Sequence, residues 1–152
     1  MPTNKPFYGF KNTIHSKALK ASQSSDKEIL LLQKEKMTPK QIVEKWVDVF
    51  NSANASALAE LYHDEAINHQ VMNEPLEGKE AIKQMFATEF ARAKMVCVIE
   101  NIFEDREWAI LEWKDPLGLR GCGFFQTKDD KIIFQRGYWD KSSFLKIQNL
   151  RE

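Results

Sequence analysis

Residues 38–152 predict an α+β domain, a curved antiparallel sheet with three N-terminal helices packed on its concave face, giving a cone-shaped α+β barrel. Three observations lead there. Apolar residues recur at helical spacing in three successive segments before residue 93. From Met95 the period drops from 3.6 to 2, and four β-rich runs follow. The links between those runs are too short for crossover helices, so consecutive strands must be antiparallel neighbours, and the helices that precede them must share one face of the sheet.

The first helix carries a full start signal: Thr38 as N-cap, Pro39 at the first helical position and Gln41 three residues past the cap. Ile42, Trp46, Val49 and Phe50 then fall on one face, and the helix is expected to end near Asn51. Asn54 is placed to cap a shorter helix with Leu58, Leu61 and Tyr62 as its apolar stripe, broken by His63-Asp64-Glu65. A short strand is expected from Ala66 to Val71. After a loop with Pro75 and Gly78, a third helix starts at Lys79 and aligns Ile82, Met85, Phe86 and Phe90. The four later strands are expected over 95–103, 108–114, 119–127 and 132–139. Asp140 precedes Lys141-Ser142-Ser143-Phe144-Leu145, where its carboxylate can cap a closing helix. The glycines of Gly121-Cys122-Gly123 permit a bulge where the sheet bends.

Residues 1–37 form an N-terminal extension of different character. Seven lysines stand against three acids, and Ala21 to Ser25 reads as linker, so a mobile tail is expected. Ile29 to Leu32 can make an apolar helical turn, and Phe7, Tyr8 and Phe10 offer an alternative role as an interaction arm. Over the whole chain Lys plus Arg equals Asp plus Glu at 22 each, which gives no field to draw nucleic acid or an anionic membrane. No stretch has the apolar length of a membrane span, and no secretory signal is visible at the start, so a cytoplasmic protein is expected. Cys97 and Cys122 belong to no CxxC pattern, and neither a disulfide framework nor a zinc site is expected.

Several phrases resemble the nuclear transport factor 2-like superfamily, in particular its SnoaL-like branch of polyketide cyclase and ketosteroid isomerase relatives. They are Trp46-Val47-Asp48-Val49-Phe50-Asn51, Leu58 to Ala66, Gly78-Lys79-Glu80-Ala81-Ile82, and Lys131-Ile132-Ile133 leading to Tyr138-Trp139-Asp140 and Phe144-Leu145. The resemblance covers about residues 38–150. It implies a central apolar pocket and no particular reaction, because the fold hosts isomerases, cyclases, epoxide hydrolases, dehydratases and binding modules without activity.

Positions where similar enzymes keep working groups hold other residues here. Ketosteroid-isomerase-like members carry a carboxylate on the strand after the second helix, and the corresponding place is Gln70, which cannot act as a base. A shift of one residue would bring in His69 instead, whose imidazole suits general base work. Limonene-epoxide-hydrolase-like members set an arginine between two aspartates; the matching places hold Trp113, Asp115 and Gly137. Asp115 also lies before Pro116, where an aspartate commonly bonds the local backbone. Glu112 either faces water or sits in the cavity as a candidate acid. Cys122 lacks any visible activating base, and His63, His69 and Asp64 span a turn and a strand in a pattern that does not suggest a metal.

These readings converge on a pocket protein that binds a small, largely apolar organic molecule, with Tyr62, His69, Trp113, Gln135 and Trp139 as ligand-binding residues and no cofactor. The competing expectation is an isomerase, cyclase or dehydratase-like enzyme in which His69 is the general base and Glu112 or Asp115 orients it. A third is a protein-interaction module with a filled cavity. In the last strand Gln135, Gly137 and Trp139 share the parity expected to line the pocket, leaving Phe134, Arg136 and Tyr138 outside. So apolar an outer face is expected to be buried in a homodimer.

Overall fold

In the computed structural model, which describes residues 36–151, helix α1 spans Pro39–Asn51 and starts as its capping signal predicts. The Thr38 hydroxyl accepts from the Gln41 amide at 3.2 Å, and the Gln41 side chain accepts from the Thr38 amide at 2.9 Å. Both ends of α1 are tied to the sheet. The Lys40 amide donates to Glu104 at 2.7 Å, while the Asn51 carboxamide clasps both backbone groups of Cys97, at 2.7 and 2.9 Å. Ile42, Val43, Trp46 and Val47 are buried, whereas Val49 and Phe50 are only half-buried.

Asn54 caps α2 (Ala55–Ala59), accepting from the Ala57 amide at 2.9 Å. The predicted stripe does not run on through Tyr62, because Tyr62 opens strand β1 (Tyr62–Gln70), four residues earlier than its predicted start. The polar run His63-Asp64-Glu65 stays exposed inside this strand, where the register with β6 shifts between Tyr62 and Ile67. Extra residues bulge outward there while Tyr62 and Ala66 remain fully buried. A two-residue strand β2 (Leu76–Glu77), absent from the sequence reading, pairs with Asn68 and Ile67. Helix α3 (Lys79–Arg92) follows, burying Ile82 and Phe86. Lys79 at its start reaches Asp64 at 3.0 Å, and this contact holds the Asp64 carboxyl below the usual carboxylate range.

The remaining strands are β3 (Val98–Asp105), β4 (Trp108–Lys114), β5 (Arg120–Lys128) and β6 (Lys131–Trp139), closed by α4 (Lys141–Ile147). Asp140 caps α4, accepting from the Ser143 amide at 2.6 Å. The sheet has six strands in the order β2-β1-β6-β5-β4-β3. Its last four form the predicted antiparallel meander, but β1 lies parallel to β6, so the sheet is mixed and is not closed into a barrel. One cluster joins Ile42, Trp46, Ile82 and Phe86 of the helices to Ala109, Leu111 and Phe125 of the sheet. A second joins Phe144 and Leu145 of α4 to Leu119, with Trp113 and Trp139 packed against it.

Pairing runs unbroken through Gly121-Cys122-Gly123, so these glycines make no bulge. They make room instead. A Cβ on Gly121 would lie 2.5 Å from the Tyr138 carbonyl and 2.6 Å from the Trp113 ring, and one on Gly123 would lie 2.9 Å from the Phe125 ring. The predicted turn at Ile29 to Leu32, the aromatic trio Phe7, Tyr8 and Phe10, and the whole extension up to Glu35 lie outside the described residues.

Two stability measurements check this account by urea denaturation. Gly121→Ala should destabilise the domain by about 1–3 kcal/mol, the usual cost of forcing atoms into a packed site; an unchanged midpoint would show that the Trp113 ring yields freely. Thr38→Ala should cost ~1 kcal/mol through loss of the reciprocal cap.

Candidate functional site

Between α1, α3, α4 and the covered face of the sheet lies a cavity of about 270 Å³. Its walls are largely aromatic and aliphatic: Trp46 and Phe50 from α1, Phe86 from α3, Leu111 and Trp113 from β4, Phe125 from β5. Trp46 anchors this arrangement, stacked on Phe50 at 4.9 Å and edge-to-face with Phe125 at 5.2 Å. Glu89, Arg92, Asp115 and Lys141 also contribute to the lining, and Glu89 and Arg92 are paired at 3.6 Å.

The buried polar part is a chain of hydrogen bonds across the covered face of the sheet. Trp46 Nε1 donates to the Tyr62 hydroxyl at 2.8 Å, and that hydroxyl donates to Gln135 Oε1. From the other end, Trp139 Nε1 donates to Gln70 Oε1, Gln70 Nε2 to Asn68 Oδ1, and Asn68 Nδ2 to Gln135 Oε1, each at 2.8 Å. An indole nitrogen can only donate. Trp139 therefore dictates which end of Gln70 faces it, and this choice propagates through Asn68 to Gln135. Burial drives the acidity of Tyr62 far below that of a free phenol, with bonds to Trp46 and Asn68 opposing the effect only in part, so its hydroxyl keeps its proton and serves as a donor.

The alternation of β6 places Gln135, Gly137 and Trp139 on the cavity side, as expected from sequence. Trp113 lines the cavity too, whereas Tyr62 lies beneath it within the hydrogen-bonded chain. His69 does not reach it. On β1 the inward residues are Asn68 and Gln70, and His69 pairs in register with Arg136 on the opposite face. Glu112 is likewise on that outer side, exposed, and accepts from Asn101 Nδ2 at 2.7 Å. Asp115 does line the cavity, but its Oδ1 accepts from the Leu117 and Leu119 amides at 2.9 and 2.8 Å, the local turn role. The three candidate catalytic side chains are thus not brought together, because strand parity separates His69 and Glu112 from the pocket.

Gln70, Trp113 and Gly137, which stand where similar enzymes keep functional groups, are packing positions here, Gln70 against Gly137 and Trp113 against Gly121. A Cβ on Gly137 would collide with the Gln70 carboxamide, whose carbon would lie 2.9 Å away. Trp113 likewise lies over Gly121. Sequence reasoning missed Asn68. Its signal was the alternation Ala66, Asn68, Gln70, which shares one parity and places an amide on a buried face. Neither thiol is activated: burial pushes Cys97 up to about 12 and raises Cys122, with Glu112 adding to the second.

Residues 43–135 match the family model of the SnoaL-like domain, and no curated protein matches the chain. Among solved structures, an NTF2-like protein of unknown function from Cytophaga hutchinsonii is 17% identical, with 74% of this chain and 99% of that one covered at a TM-score of 0.62. A hypothetical protein of ketosteroid isomerase-like fold from Catenulispora acidiphila, in complex with trimethylamine, is 19% identical, with 76% and 96% covered at 0.66. An LEH-like epoxide hydrolase from M. tuberculosis is 18% identical, with 71% and 86% covered at 0.59. At such identities the likeness is one of fold. With the family model spanning more than half of its length, the chain belongs to the SnoaL-like domain family and has the NTF2-like fold.

Proposed function

We propose that this domain binds a small, largely apolar organic molecule in the cavity between helices and sheet. The observation that carries the reading is the composition of that cavity, with apolar walls and a buried chain of amides and a phenol that exchange no proton near neutral pH. Concave apolar sites with a few convergent polar groups are the usual form of ligand sites. The solved relative in complex with trimethylamine supports small-molecule occupancy of this fold. Proton-transfer catalysis by His69 with Glu112 and Asp115 lacks the convergence it requires. Both cysteines are free, which suits the reducing cytoplasm, and no helix among the described residues is long and apolar enough to cross a membrane.

The outer sheet face supports a second element of the reading, a homodimer. Phe103 and Tyr138 are 59% and 42% exposed there, next to the Trp108–Phe134 and Phe124–Tyr138 edge-to-face pairs. Arg136 stacks over Phe134, and its Nε has no hydrogen-bond partner although it is sealed from solvent. An apolar face that leaves one guanidinium nitrogen sealed without a partner is costly in water and suited to burial against its own copy.

Titration of the ¹⁵N-labelled protein with naphthalene should shift the indole N–H signals of Trp46 and Trp139 saturably at one equivalent. Val96 also lines the cavity, and Val96→Phe, which fills part of that space, should weaken binding roughly tenfold, about 1.4 kcal/mol. Absence of saturable shifts would overturn the pocket reading. In sedimentation velocity the wild type should run as a dimer and Tyr138→Glu as a monomer; a wild type that stays monomeric at high concentration would refute the interface.

A further inference from the structure

Among the buried side chains that line the proposed pocket, one polar group has nothing to bond. Gln135 Oε1 accepts from both Tyr62 and Asn68, and these bonds leave the other end of the carboxamide, Nε2, as a donor with no acceptor among the described residues. It is not a sealed defect, because among the described residues the one sealed, unpartnered side-chain nitrogen or oxygen is Arg136 Nε on the opposite face. Gln135 lines the cavity, and so its free N–H groups open into that space.

The orientation is not arbitrary. If Gln135 were turned over, its NH₂ would meet the NH₂ of Asn68. Turning Asn68 to compensate would set it against Gln70, and turning Gln70 would set its NH₂ against the Trp139 indole N–H, which cannot accept. The donor-only group at the Trp139 end therefore fixes the amide at the cavity as a donor, through three bonds. The lining close to it, Leu111, Gly123 and Phe125, offers no competing acceptor side chain.

Resting on the pocket reading above, we infer that Gln135 is the polar anchor of the site and that the molecule it takes is neutral and bears a hydrogen-bond acceptor, a carbonyl on an apolar body. A neutral amide donor rewards a carbonyl oxygen, gives nothing to a hydrocarbon and repels an ammonium N–H. An anion would gain the same bond but would have to shed its hydration beside aromatic walls, where the described lining offers no buried cation to compensate. Gln135→Glu replaces the free donor by a carboxylate oxygen while retaining the acceptor used by Tyr62 and Asn68, which makes it the discriminating variant.

Three probes of one shape provide the test: acetophenone, ethylbenzene and 1-phenylethylammonium, titrated into the ¹⁵N-labelled full chain. Wild type should bind acetophenone roughly five- to tenfold more tightly than ethylbenzene, the usual net value of one hydrogen bond, with a downfield shift of the Gln135 side-chain amide signals. It should bind the ammonium most weakly. Gln135→Glu should lose the carbonyl preference and raise the affinity of the ammonium above that of acetophenone. If acetophenone and ethylbenzene bind wild type equally, or if the preference survives Gln135→Glu, the anchor assignment is wrong while the pocket reading stands. If none of the three binds, the pocket reading falls and the anchor with it.

Discussion

A buried polar group must find a partner or impose a cost of kilocalories per mole, and the chain of side chains from Trp46 to Trp139 is how this domain meets that requirement inside an apolar core. Six side chains from three elements take part: Trp46 of α1, Tyr62, Asn68 and Gln70 of β1, and Gln135 and Trp139 of β6. Because β1 runs parallel beside β6, alternate residues of the two strands face the same way, and amides separated by nearly seventy positions meet side by side. The network thus joins the first helix to the last strand, and it sets the register on which the cavity depends. A slip of one residue on β1 would bring His69 inward and turn Asn68 and Gln70 to the outer face.

The same constraint explains why Gln70, Gly137 and Trp139 belong together. Gln70 fits only because residue 137 has no side chain, and it is held in place by the Trp139 indole. An acid at 137 would occupy the volume that Gln70 fills. This wall of the cavity is therefore a complete packing arrangement of neutral groups, with no gap left by a missing carboxylate. Trp113 over Gly121 repeats the pattern on the next strands, a large ring against an absent Cβ.

Much of this was legible in the sequence. The box at Thr38 and Gln41, the caps at Asn54 and Asp140, and the four strands of the meander are local signals, carried by residues close together in the chain. The inward parity of Gln135, Gly137 and Trp139 followed from alternation alone. What stayed hidden was set by distant pairing. Strand β1 begins at Tyr62 because β6 pairs with it there, and its bulge over His63 to Glu65 breaks the alternation that would have announced a strand. That break left the register of β1 undetermined by one residue, so His69 and Gln70 could not be told apart by side. Glu112 suffered from a related ambiguity: an acid within an apolar strand carries no mark of its face until its neighbour, here Asn101, is known.

The two ends of the cavity treat charge differently, and this difference follows from where each side chain originates. Glu89 and Arg92 come from the last turns of α3 and Lys141 from the first turn of α4, helix ends at which long side chains keep contact with water. Gln135 and Asn68 lie within their strands and Tyr62 at the buried start of β1, each less than 5% exposed, where an ion would have to be stripped of solvent. A charged group entering the cavity is therefore best satisfied near the helix ends and least satisfied at the amides, while a neutral acceptor on an apolar body has the opposite preference. Discrimination in this pocket rests less on attraction to one partner than on the desolvation that a wrong partner would have to undergo.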